Sequence, residues 1–154
     1  MTTSTYYQNA GQNFDPALNL KTITSRIRVD ARQLAKTFPI VKAVSVRMRH
    51  HSAIDCVVSF VEGVELVNPR WADSQANWNP SERPEPLHTE RVREVLKAVE
   101  TIRDSYNYNN SDLMTDYFDV GYYGSTNADS SQTIAAEKVA LDAAQERKAS
   151  RKAA

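Results

Sequence analysis

The sequence predicts an α+β fold: a small, three-stranded, mostly antiparallel sheet packed by two amphipathic helices. Three observations carry this. Two segments repeat apolar residues every three to four positions, the helical period. Between them, a stretch alternates apolar and polar residues twice in succession, the strand period. A last alternating run follows the second helix. The predicted order is α-β-β-α-β, with a helical C-terminal tail, and helices covering one face of a sheet are a stable layer arrangement.

The first helix is placed at 21–37. Ile23, Ile27, Ala31, Leu34 and Phe38 form its stripe, Arg26, Arg28, Arg32 and Lys36 occupy its other faces, and Pro39 stops it. The hairpin is placed at 43–61. Val44, Val46 and Met48 alternate with Ser45, Arg47 and Arg49; Ile54, Cys56, Val58 and Phe60 alternate with Asp55, Val57 and Ser59. The reversal falls near His51, without the Asn-Gly or Gly-Gly chemistry that would fix its turn type. Residues 62–88 hold four prolines with Trp71 and Trp78, which predicts an irregular flap held by its indoles on the domain or on a partner. The second helix is placed at 89–105, with Val92, Val95, Leu96, Val99, Ile102 and Tyr106 as its stripe, Thr89 as N-cap and Glu90 in the first turn. After the turn-forming "NYNNSD", residues 117–123 are assigned as the third strand, with Phe118, Val120 and Tyr122 facing the core. Residues 1–14 are polar and read as a flexible arm, which Tyr6, Tyr7 and Phe14 would pin down in part. Residues 15–124 form the domain, and 130–154 an alanine-rich helix with a thin apolar stripe, a solvated tail.

Composition narrows the function. Of 154 residues, 41% are apolar and 25% charged, and 19 basic side chains balance 19 acidic ones, so no global field draws the chain to polyanions. A lone cysteine, Cys56, makes no internal disulfide. No window suits a signal peptide or a membrane span, which predicts a soluble, cytoplasmic protein.

The hairpin carries a motif set of its own. Phe38-Pro39 closes the first helix, Ser45-Val46-Arg47 opens the strand, and Ser52-Ala53-Ile54 follows the turn; later comes "YNYNNSDLMTDYFDVGYY". From Ile23 to Tyr123 the chain resembles the twenty-ninth large polyvalent protein-associated domain, except in its Pro/Trp insert, whose role the family does not inform. The resemblance implies an accessory protein of a phage, plasmid or conjugative element, acting on host machinery or host defence. It brings no catalytic activity and no active-site residues.

The reactive residue types all have structural roles open to them. His50 and His51 are adjacent, so on a strand they would point apart rather than converge on a metal with Asp55 and Cys56. Cys56 falls on the apolar face, where a thiol acts as a small hydrophobe. Asp112, Asp116 and Asp119 lack the spacing of a calcium loop, and Asp112 suits a turn cap. No phosphate loop or hydrolase motif is present. The prediction is therefore a non-enzymatic protein-binding module without metal or cofactor. Its contacts are assigned to Trp71, Trp78, Arg47, Arg49, Tyr108, Tyr117 and Tyr123, because Trp, Tyr and Arg dominate interface hot spots. A nucleic-acid-binding accessory protein, using the basic first third, is the alternative. A small enzyme or metal protein built on His50, His51 and the aspartates is the third reading.

Overall fold

A computed structural model describes Tyr7 and residues 9–153. Its elements run α1 (Leu20–Ala35), β1 (Val41–Arg49), β2 (Ala53–Phe60), α2 (Pro69–Ala76), α3 (Glu90–Asp104), β3 (Thr126–Ala128) and α4 (Ser130–Ala153). The class is α+β, and the predicted order α-β-β-α-β with a C-terminal helix holds.

α1 starts where the Asn19 side chain accepts the Thr22 N–H at 2.8 Å, a standard N-cap. It buries Ile23, Ile27 and Ala31, as the periodicity requires. β1 and β2 pair antiparallel in a register that sets Val46 opposite Cys56 and Arg47 opposite Asp55. Their turn is tight: the Ser52 N–H bonds the Arg49 carbonyl, and both central residues, His50 and His51, have positive φ (50° and 58°). That is the type I′ signature, here without glycine or asparagine. Ile54, Cys56, Val58 and Phe60 are fully buried beneath Val92, Val95 and Val99 of α3 and Ile27 of α1. Both helices thus cover one face of the sheet. On the other face Ala43, Ser45, Arg47 and Arg49 of β1 are exposed.

The third strand is not 117–123. It is Thr126–Ala128, and it runs parallel to β2, so the sheet is mixed, in the order β1-β2-β3. The expected core face splits accordingly: Tyr122 is buried, Val120 half-buried and Phe118 exposed. What places the parallel strand is Gly124, at φ +144°. A Cβ there would lie 1.9 Å from the Ile54 carbonyl oxygen. Without one, the chain comes close enough for the Ile54 N–H to bond Tyr123 O (2.9 Å) and the Cys56 N–H to bond Ser125 O (2.8 Å).

The Pro/Trp insert is more ordered than a flap. Pro69 stands at the first position of α2 and Asn68 caps it through the Arg70 N–H, the N-terminal chemistry that lets proline begin a helix. Thr89 occupies the N-cap position of α3, but its hydroxyl bonds the Glu65 carbonyl (3.0 Å) and ties the insert's start to the helix. α4 is not wholly solvated. Ala144 is buried, Arg147 pairs with Asp73 of α2 at 2.7 Å, and the Lys148 ammonium donates to the Ala76 carbonyl. At its other end the Gln132 amide both donates to and accepts from the Phe60 backbone, completing β2.

The described part of the N-terminal arm is tied down. The Gly11 N–H bonds Asn107 O and the Asn13 N–H bonds Ser105 O, each at 2.7 Å, and Tyr7 and Phe14 pack on Tyr108. Tyr6 lies outside the described residues. Among those residues, no helix is long and apolar enough to cross a membrane.

Candidate functional site: a projecting apolar hairpin

The tyrosine-rich stretch that follows α3 builds a second, smaller hairpin beside the main sheet. Its base is set by Asn107. The side-chain oxygen accepts the Tyr108 and Tyr122 N–H groups (2.9 and 3.1 Å), while its amide donates to Tyr122 O at 2.8 Å. One asparagine thus clamps both arms, and Gly121 is small enough to let it approach: a Cβ at 121 would meet Asn107 Oδ1 at 2.7 Å. The arms continue as antiparallel bridges, Asn109 with Val120 and Asp112 with Tyr117. Asp112 and Tyr117 exchange two backbone hydrogen bonds, at 2.7 and 3.0 Å.

The tip is the four-residue loop Leu113–Asp116. Asp112 closes it by accepting the Met114 N–H (3.0 Å), and Asp116 adopts the left-handed conformation (φ 53°) that aspartate tolerates better than most residues. Asp112 is therefore the turn cap its sequence position suggested. Asp119 accepts the Tyr108 hydroxyl at 2.9 Å.

What this geometry displays is apolar. Leu113 is 77% exposed, Met114 93%, Tyr117 53% and Phe118 60%. Four large hydrophobic side chains in six residues are exposed on a braced hairpin, with Tyr117 and Phe118 on opposite faces of its extended arm. Single exposed hydrophobes are ordinary, but a cluster flanked by polar groups marks an interaction surface. Here the flanks are the Asp112 and Asp116 carboxylates.

The residues assigned to contacts fall in several places. Tyr117 and Tyr123 are exposed, one on the hairpin and one at its root. Tyr108 turns inward against Tyr7 and Phe14 (centroids 4.8 and 5.3 Å away), and burial, with help from Asp119, pushes its phenol up to about 12. Trp78 is largely exposed beyond the end of α2, while Trp71 is half-buried on it. Arg47 is exposed on the open sheet face. Arg49 beside it bonds Asp55 at 2.6 Å, and that guanidinium holds the Asp55 carboxyl below its ordinary range. The structure does not bring these residues into one patch with the hairpin tip. Leu113, Met114 and Phe118 are not among the predicted contacts: Phe118 stands in an alternating run that reads as core, and Leu113 and Met114 lie in the turn before it.

The reactive groups are dispersed. His50 and His51 are exposed at the main turn, whereas Cys56 is in the core, where burial raises its thiol to about 11. A thiol so disfavoured as thiolate is a poor nucleophile. Among the described residues, no three His, Cys, Asp or Glu side chains are grouped to hold a metal ion. A cleft of about 710 Å³ lies between residues 62–69 and α4; its walls include Val64, Leu66, Ala136 and Val139, and the cation in its lining, Arg147, is engaged by Asp73.

No family model, no curated protein and no solved structure matches the chain.

Proposed function

We propose that the chain is a non-enzymatic protein-binding accessory module whose docking element is the 109–120 hairpin. The observation that carries this reading is the exposure of Leu113, Met114, Tyr117 and Phe118 on a stalk held by backbone bridges and the Asn107 clamp. A rigid presentation lowers the ordering cost that association must overcome. Each of these side chains contributes about 1.5–3 kcal/mol when fully buried, about 6–12 kcal/mol for the four together, against the roughly 8 kcal/mol of micromolar binding, so the whole set rather than one or two anchors has to seat. The fitting partner is a protein with an apolar cleft edged by lysine or arginine, which would meet Asp112 and Asp116. The resemblance to a mobile-element domain supports a partner in host or phage machinery, in the cytoplasm of the host cell. Tyr123, exposed at the root of the hairpin, would add a contact at the margin.

The test is affinity purification from the native host with the wild-type chain and with Leu113→Ser/Met114→Ser/Tyr117→Ser/Phe118→Ser. The substituted side chains are exposed, so the variant should keep its fold. A partner held by the wild type and weakened at least about 100-fold by the variant supports the proposal. Equal retention by both removes the hairpin from it. Trp71→Ala/Trp78→Ala, tested alongside, measures the contribution of the insert.

A further inference from the structure

The chain is electrically neutral only as a sum. Residues 20–52 carry eight cationic side chains, Lys21, Arg26, Arg28, Arg32, Lys36, Lys42, Arg47 and Arg49, against one carboxylate, Asp30. That is a formal +7, and the rest of the chain therefore carries −7. The fold keeps the segment together, because α1 packs against β1, with the α1 cations on the helix layer and Arg47 and Arg49 on the open face of the sheet. Little inside the protein neutralises it. Asp30 is engaged by the Tyr106 hydroxyl at 2.6 Å, and Asp55 by Arg49. Lys21, Arg26, Arg32, Lys36, Lys42 and Arg47 are exposed, and among the described residues none of them is ion-paired.

The arrangement is a stripe. At 3.6 residues per turn, Lys21, Arg28, Arg32 and Lys36 fall within an arc of about 80° along one flank of α1, over roughly 22 Å. The flank is the one beside the sheet edge, because the Arg28 guanidinium reaches the Val46 carbonyl at 2.8 Å. We infer that this stripe is a second binding surface, which takes the phosphate backbone of duplex nucleic acid.

Three observations favour that partner. A stripe of this length matches about six phosphates of one strand. No exposed aromatic ring lies on α1 or β1, so the stacking platform that single strands use is missing there. An acidic peptide adding itself to β1 is disfavoured too. On β2 the Ile54 and Cys56 N–H groups point toward the β3 side, so the backbone groups of their β1 partners, Met48 and Val46, face outward at the sheet edge. Arg28 already occupies the Val46 carbonyl there, and a side chain laid across an edge blocks strand addition. This surface is independent of the apolar hairpin.

The experiment is fluorescence anisotropy of a labelled random-sequence duplex, about 20 base pairs long, titrated with the full chain at several salt concentrations. With about four phosphates engaged, the logarithm of the binding constant falls with the logarithm of salt at a slope near −3.6, roughly 150-fold weaker from 50 to 200 mM. Lys21→Ala/Arg32→Ala/Lys36→Ala should flatten that slope to about −1 and weaken binding more than tenfold at the lowest salt. Arg70→Ala/Arg91→Ala/Arg151→Ala, which removes as many cations elsewhere, should leave both unchanged. Absence of binding at about 50 mM salt overturns the inference, as does equal loss in the two triple variants. Tighter binding to a single-stranded oligonucleotide than to the duplex overturns it too. So does competition by polyglutamate as effective as by unlabelled duplex at equal charge.

Discussion

Replacing Gly124 by alanine tests how the parallel strand is built. The new methyl would stand 1.9 Å from the Ile54 carbonyl oxygen, and that oxygen belongs to the backbone of a fully buried strand residue, so it cannot yield as a flexible side chain would. The segment must retreat by more than an ångström. The bonds from Ile54 N to Tyr123 O and from Cys56 N to Ser125 O flank the site and would stretch beyond hydrogen-bonding distance. Each leaves a buried N–H unsatisfied, at about 1–2 kcal/mol. A non-glycine residue at φ +144° adds about 1–2 kcal/mol of strain. The expected destabilisation is about 4 kcal/mol. For a chain of this size, with a urea dependence near 2 kcal/mol per molar, the unfolding midpoint should fall by about 2 M. Gly63→Ala is the matched control, since Gly63 also has positive φ (87°) but has nothing within 4 Å of its would-be Cβ. It should cost about 1 kcal/mol. Equal, small costs at the two glycines would refute the close-approach argument and with it the placement of β3.

Other outcomes follow from local features. His50→Asn/His51→Gly relieves two side chains held at positive φ in the main turn and should raise stability by about 1 kcal/mol, or 2–4 °C in melting temperature; calorimetry checks this. Burial, with a hydrogen bond to Asp30 for Tyr106 and to Asp119 for Tyr108, pushes both phenols up to about 12, and burial pushes Tyr122 further in the same direction. A raised folded-state value favours the neutral form, so this contribution is complete below about pH 10 and is lost as pH rises toward 12. Ultraviolet titration should show these phenols ionising only as the fold is lost, and early ionisation of all the tyrosines would contradict it. Cys56 should resist alkylation in the native chain and react at once in denaturant, because its thiol is buried and raised to about 11.

Much of the architecture was legible because periodicity encodes burial. Ile23, Ile27 and Ala31 fall on one helix face and Ile54, Cys56 and Val58 on one strand face, and the core is built from them. The third strand was not legible for the converse reason. Thr126–Ala128 is three residues long and mostly polar, and its place comes from the open edge of β2 and from Gly124. The run 117–123 alternates like a strand, and locally it is extended, but up to Tyr122 it pairs with 107–112, and only Tyr123 reaches the sheet, as a parallel bridge to Ala53. Alternation reports an extended backbone with two unlike faces; it does not report which neighbour covers either face. Hence Phe118 reads as core and is exposed, while Leu113 and Met114 fall outside any periodic run and carry no such signal. α2 had a readable start in Asn68-Pro69, obscured by the prolines around it. α4 shows little of its docking in the sequence because it rests on two alanines, Ala136 and Ala144, and on polar anchors, Gln132, Arg147 and Lys148, which make no broad hydrophobic stripe.

The claim that matters most is that the hairpin tip touches a partner. Placing a photo-crosslinking residue at Met114, and in parallel at exposed Lys97 on α3, then irradiating in host extract, tests it most directly. The account predicts one discrete adduct to another protein from Met114 and none from Lys97. No adduct from either position, the same smear from both, or a product of twice the chain's own mass would contradict it.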